Sequence, residues 1–74
     1  MITVISVVST VIDKLIYDSN RQDLLVKFNS KKVYVYTPVS NEFFDKLKSA
    51  NSIGQFFNKH VKNNQALTCL KLIK

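Results

Sequence analysis

The sequence predicts an α+β domain: an antiparallel sheet of three to four strands, arranged as a meander, followed by two short helices packed on one face. Three observations carry this reading. Up to residue 37 the chain holds β-branched and alternating apolar runs separated by short polar segments. The single proline, Pro38, closes that region, and proline cannot donate to a sheet ladder. Beyond it the apolar period becomes helical, at Phe43, Phe44, Leu47 and Ala50.

Residues 3–8 are rich in β-branched side chains (Thr3, Val4, Ile5, Val7, Val8), which suit a pleated, half-buried surface. Residues 11–17 form a second strand, with Asp13 and Lys14 marking a partly solvated stretch; Ser9-Thr10 is a turn or a bulge between the two. Residues 18–21 are a turn by composition. Residues 24–28 alternate, with Leu24, Val26 and Phe28 on one face, and residues 29–31 make the next turn. Residues 32–37 place Val33 and Val35 on one side and Tyr34 and Tyr36 on the other. Alternation alone does not say which side is inside. Loops this short favour hairpins between sequential strands.

A first helix starts with Ser40 or Asn41 as N-cap. Glu42 and Asp45 lie near its positive end and Lys46 and Lys48 near its negative end, matching the macrodipole. Ser52 with Gln55 reads as a capping box for a second helix over residues 53–62. Its apolar stripe is Ile53, Phe56 or Phe57, His60 and Val61. Residues 68–73 admit two readings. Leu70 and Leu72 alternate with Lys71 as in a strand, whereas Leu67, Leu70 and Ile73 are three apart as in a helix.

Seventy-four residues make one small domain, 1–74. At this size folding buries only roughly 60–65% of the surface of the unfolded chain. An apolar fraction of 46% with eight aromatics argues for a folded core. The lone Cys69 excludes an intramolecular disulfide. One His and one Cys make no tetrahedral zinc site unless carboxylates converge on them. The expectation is a reducing, cytoplasmic protein with no cofactor and no bound metal. No targeting pattern opens the chain, and the mainly apolar residues 2–12 fall far short of the ~20 a membrane span needs. High usage of Lys, Asn, Ile and Phe fits an A/T-rich genome, such as that of a low-GC bacterium or its phage.

Charge is divided unevenly. Up to Asp45, five cations (Lys14, Arg21, Lys27, Lys31, Lys32) balance five anions (Asp13, Asp18, Asp23, Glu42, Asp45). Beyond Asp45 lie six lysines (Lys46, Lys48, Lys59, Lys62, Lys71, Lys74) and no acid, which accounts for the net +6. A cationic surface of this kind attracts polyanions or an acidic protein partner.

Several blocks together are similar to a known family. Ser9, Ile12, Tyr17-Asp18, Leu25-Val26-Lys27-Phe28, Tyr34-Val35-Tyr36 and Val39 resemble the KTSC domain, as do residues 50–58 with Val61-Lys62. That small domain occurs at the C-terminus of some lysyl-tRNA synthetases and as free-standing bacterial and phage proteins. The resemblance covers residues 9–62, and its most specific pieces are the Tyr-x-Tyr pair and the Ala-x-Ser-x-Gly-x-aromatic-Phe-Asn block. The chain departs from the pattern near Lys31, where a turn Gly is usual, and at Ser40, where a Pro commonly follows the Val. Residues 65–74 are a C-terminal extension without a counterpart in the pattern. The resemblance implies the α+β fold, and RNA binding is a suggestion attached to the family.

The candidate residues follow, each beside its structural role. Tyr34 and Tyr36 share one strand face and can stack on unpaired bases; the alternative is packing beneath the helices. Lys46, Lys48, Lys59 and Lys62 supply a cationic face or are simply solvated. Ser52 and Gly54, at a helix start, can offer free N–H groups to an anion; otherwise Ser52 is a cap and Gly54 allows close approach. His60 is expected to be a packed or half-buried histidine rather than a catalytic one, Cys69 a buried inert thiol, and Asp13, Asp18 and Asp23 turn or surface residues rather than a metal cluster. No catalytic residue is assigned. The expected function is a non-enzymatic binding module for RNA or single-stranded DNA. The rival is a protein-interaction module, such as a phage-encoded regulator or inhibitor of a bacterial protein. In that reading the apolar ends, residues 2–8 and 67–73, pair with each other or form a homo-oligomer or partner surface.

Overall fold

A computed structural model describes residues 1–73; Lys74, counted above with the basic tail, lies outside them. The alternating runs become β1 (Ile2–Ser6), β2 (Ile12–Asp18), β3 (Asp23–Phe28) and β4 (Val33–Thr37). Each pairs antiparallel with its successor. After the helices the chain returns as β5 (Thr68–Ile73), antiparallel to β4, so the sheet has five strands in the order β1-β2-β3-β4-β5. The expectation of three to four strands is corrected here. The strand reading of residues 68–73 prevails because β4 would otherwise present an unpaired row of backbone donors and acceptors. β1 and β5 occupy opposite edges, so the two apolar ends of the chain do not pair with each other.

Register assigns the faces. Ile5 lies opposite Leu15, Leu15 opposite Val26, and Val26 opposite Tyr34. In the next row Tyr17 lies opposite Leu24, and Leu24 opposite Tyr36. The helices cover this face, and Leu15, Leu24 and Val26 have no exposed surface at all. Among the described residues no polar or charged residue is fully buried.

The chain crosses from β4 to the first helix through a cis Thr37–Pro38 bond. α1 (Asn41–Lys48) starts at Ser40, whose Oγ accepts the Phe43 backbone N–H at 3.1 Å. Phe44 and Leu47 point into the core, and the Phe44 ring stacks on Tyr17 with centroids 4.3 Å apart and planes 16° from parallel. The buried Tyr17 hydroxyl donates to the Val39 carbonyl, tying the sheet to the approach to α1. Burial first, then the nearby Asp45 and Asp18 carboxylates, pushes that hydroxyl above its ordinary pKa.

The second helix begins as α2 (Ile53–Phe56) and continues as a π-helical turn, Phe57–Val61, in which the Lys62 N–H reaches the Phe57 carbonyl at 2.9 Å. The wider turn puts Phe57 and Val61 into the core and leaves His60 exposed against the Phe56 ring, 4.6 Å between centroids. His60 is therefore not the packed histidine that a regular 3.6-residue period implies. No helix among the described residues is long and apolar enough to cross a membrane.

Candidate functional site

Side chains from the middle of the sheet and from the end of the π-turn meet in one cleft. β4 contributes Tyr34, the end of β3 contributes Phe28, the turn between them Lys32, and the residue after the π-turn Lys62. The cavity measures about 320 Å³ and Phe57 forms part of its floor. Phe28 meets Tyr34 edge-on at 5.6 Å and Phe57 edge-on at 5.7 Å, so the half-buried Tyr34 ring is braced by an aromatic relay. Lys71 of β5 lies opposite Tyr34 on the same face. Lys32, Lys62 and Lys71 are exposed, and among the described residues none has a carboxylate within ion-pairing distance. The result is a half-buried aromatic ring at the cleft wall, with the uncompensated cations Lys32 and Lys62 lining the cleft and Lys71 on the neighbouring strand.

The sequence-derived candidates divide on this geometry. Tyr36 shares the face of Tyr34, but it is only 5% exposed and lies edge-on against Phe57 at 5.4 Å. Burial, followed by contact with the Cys69 thiol, pushes its hydroxyl above the usual range. Tyr36 lines the cleft wall beside Tyr34, but at this burial its ring is chiefly a core element and offers too little surface to stack a base, which corrects its expected stacking role. Lys62 lines the cleft; Lys59 is exposed on the π-turn but does not. Lys46 and Lys48 belong to α1 and do not line it either. Lys48 lies 3.2 Å from Asp45 and 5.6 Å from the Phe44 ring centroid, so its charge is partly answered locally. Lys32 and Lys71 were not nominated from the sequence. Lys32 is two residues before Tyr34, and that spacing on a strand gives a shared face, so this signal was legible. Lys71 became a neighbour only through the pairing of β5 with β4.

A second cavity, about 450 Å³, opens between the β1–β2 connection and the start of α2. The Ser9 Oγ accepts the backbone N–H groups of Val11 at 3.1 Å and Ile12 at 3.3 Å, which fixes the connection. A Cβ at Gly54 would stand 3.3 Å from that same oxygen, so glycine lets α2 approach the loop closely. The Ser52 Oγ accepts the Gln55 N–H at 3.3 Å. No lysine, arginine or carboxylate lines this cavity. Ser52 and Gly54 thus serve as cap and close-packing position. They form no anion site: α2 spans four residues, the Ser52 Oγ is occupied by the Gln55 N–H and no lysine or arginine lines the cavity.

One further expectation changes. Cys69 is an exposed free thiol, because β5 is an edge strand and the residue lies beside the rim of the core. The aspartates do not converge. Asp18 and Asp23 are opposite one another at one end of the sheet, and Asp13 lies near Lys27, at 3.9 Å. The Asp18 carboxylate accepts the Asn20 and Arg21 N–H groups at 3.0 and 3.4 Å, a turn role.

Comparison with known proteins bears on the family and the fold. The family model of the KTSC domain matches residues 8–64. A crystal structure of a KTSC domain protein from Yersinia pestis resembles the chain with a TM-score of 0.86 and 26% sequence identity, covering 97% of this chain and 99% of that one. That coverage extends beyond residue 64, so most of the C-terminal extension has a structural counterpart there. No curated protein matches the chain.

Proposed function

The chain belongs to the KTSC domain family, and from that premise we propose that it is a non-enzymatic binding module that takes an unpaired nucleic-acid strand, RNA or single-stranded DNA, on the Tyr34 cleft. The observation that carries the reading is the partly exposed Tyr34 ring in the cleft wall, with Lys32 and Lys62 lining the same cleft and Lys71 opposite on β5. An unpaired base stacks on Tyr34, at ~1–3 kcal/mol per base, and the lysines meet the flanking phosphates. Three phosphate contacts on a single strand give a slope of about −2 for log K against log salt. Lysines act as point charges, and the chain has a single arginine, so bidentate base readout is largely absent and sequence specificity is low.

The test is fluorescence anisotropy with single-stranded RNA and DNA oligonucleotides at two salt concentrations. The expected result is low-salt binding that weakens steeply with salt and is lost in Lys32→Glu/Lys62→Glu. Tyr34→Ala is expected to weaken it by roughly 5- to 150-fold, the equivalent of one stacked base. Absence of binding by the folded protein at low salt overturns the reading. A protein-interaction role has separate support in the apolar row on the sheet face turned away from the helices.

A further inference from the structure

The face of the sheet turned away from the helices is apolar along its middle. Val4 lies opposite Ile16, Ile16 opposite Leu25, Leu25 opposite Val35, and Val35 opposite Leu70, a row crossing all five strands. None of these five belongs to the helix-covered core. Ile2, Val4, Leu70 and Leu72, toward the two edges, are 54–62% exposed. Between these edges the row is less open: Ile16 and Leu25 are half-buried, and Val35, flanked by Leu25 and Leu70, is 9% exposed. Charges flank the row asymmetrically. Asp18 opposite Asp23 forms an acidic pair on one side, and Lys14 opposite Lys27 a basic pair on the other, with Lys27 also 3.9 Å from Asp13.

We infer that this face is a homodimer interface whose two-fold axis runs along the apolar row. Two such sheets packed face to face make a β-sandwich with aligned strands. Rotation about the row lays apolar row on apolar row. It sets the Asp18/Asp23 pair of each copy against the Lys14/Lys27 pair of the other. A two-fold axis along the strands would instead oppose acid to acid and lysine to lysine, so the charge pattern selects one arrangement and a second copy of this chain as its occupant. Five strands at ~4.8 Å spacing and about 20 Å in length give a footprint of about 24 by 20 Å. That is roughly 480 Å² per copy, below the size of a stable interface and within the range of weak, transient ones, and it predicts a reversible dimer that dissociates on dilution. The Tyr34 cleft is on the opposite face, so either proposal can fail without the other.

Sedimentation across protein concentration tests this directly. The expected result is a reversible monomer–dimer equilibrium that Leu25→Lys, still folded by circular dichroism, shifts to monomer. Asp23→Lys and Lys27→Asp are each expected to weaken self-association by about tenfold or more, and a mixture of the two to form a heterodimer of near wild-type affinity. The reciprocal pair keeps the test decisive if Leu25→Lys fails to fold. A wild-type protein that stays monomeric at about 1 mM, a dimer indifferent to the charge swaps, or a mixture that does not associate overturns the inference.

Discussion

Tyr34 and Tyr36 stand two residues apart on one strand and face the same way, but their neighbours give them different roles. Tyr36 is enclosed by Phe57 and β5, whereas Tyr34 lies where the helical layer ends and keeps part of its ring open. Spacing identified the shared face; only the position of the second helix separated core from cleft. The same local reasoning applies at Lys31. The loop 29–31 closes with the Lys31 N–H on the Phe28 carbonyl and the Phe28 N–H on the Lys32 carbonyl, both at 2.9 Å. Lys31 takes φ 74°, the left-handed region where a Cβ is disfavoured. The departure from the family's turn glycine noted from the sequence therefore carries a conformational cost. Lys31→Gly is expected to raise stability by about 0.5–1 kcal/mol, the relief of strain being partly offset by the greater freedom of glycine in the unfolded chain. Urea unfolding checks it, and an unchanged or lower midpoint would refute it.

At the scale of elements, β1 to β4 and α1 were legible because their periods and caps agree with one another. Ser40 before an acidic first turn and Pro38 after an alternating strand leave few alternatives. The second helix was legible in place but not in pitch. A π-turn leaves no distinctive residue pattern, and the packing of Phe57 and Val61 decides it. β5 was ambiguous because leucines at positions 67, 70 and 72 satisfy both periods over so short a stretch. Deletion of residues 67–74 tests its contribution. The lost strand uncovers β4 and the Tyr36 ring, so the truncated protein is expected to melt at a clearly lower temperature and to aggregate through the opened edge. Equal melting temperatures for the two forms would show that β5 is dispensable to the fold.

For the molecule as a whole, the buried phenols predict a pH dependence. Tyr17 and Tyr36 both have pKa values raised above the ordinary 10 by burial. Their protonated forms are held in the folded state and released in the unfolded one, so this contribution is complete below pH 10 and declines as pH rises beyond it. Thermal melts between pH 8 and 11 are expected to show a steep alkaline loss that Tyr36→Phe makes shallower; an identical slope in the variant would count against it. The sequence by itself determined the order of the elements up to the second helix, the meander of the first four strands, the Ser52 cap and the basic excess after Asp45, because these follow from local periodicity, local hydrogen bonding and charge counting. Only the tertiary structure decided which sheet face is covered, that residues 68–73 complete the sheet, and which lysines gather around Tyr34. The physical reason is that a face, a sheet edge and a cluster of charges are defined by distant parts of the chain. Alternation says that two faces differ, and only the helices docking on one of them settle which is core.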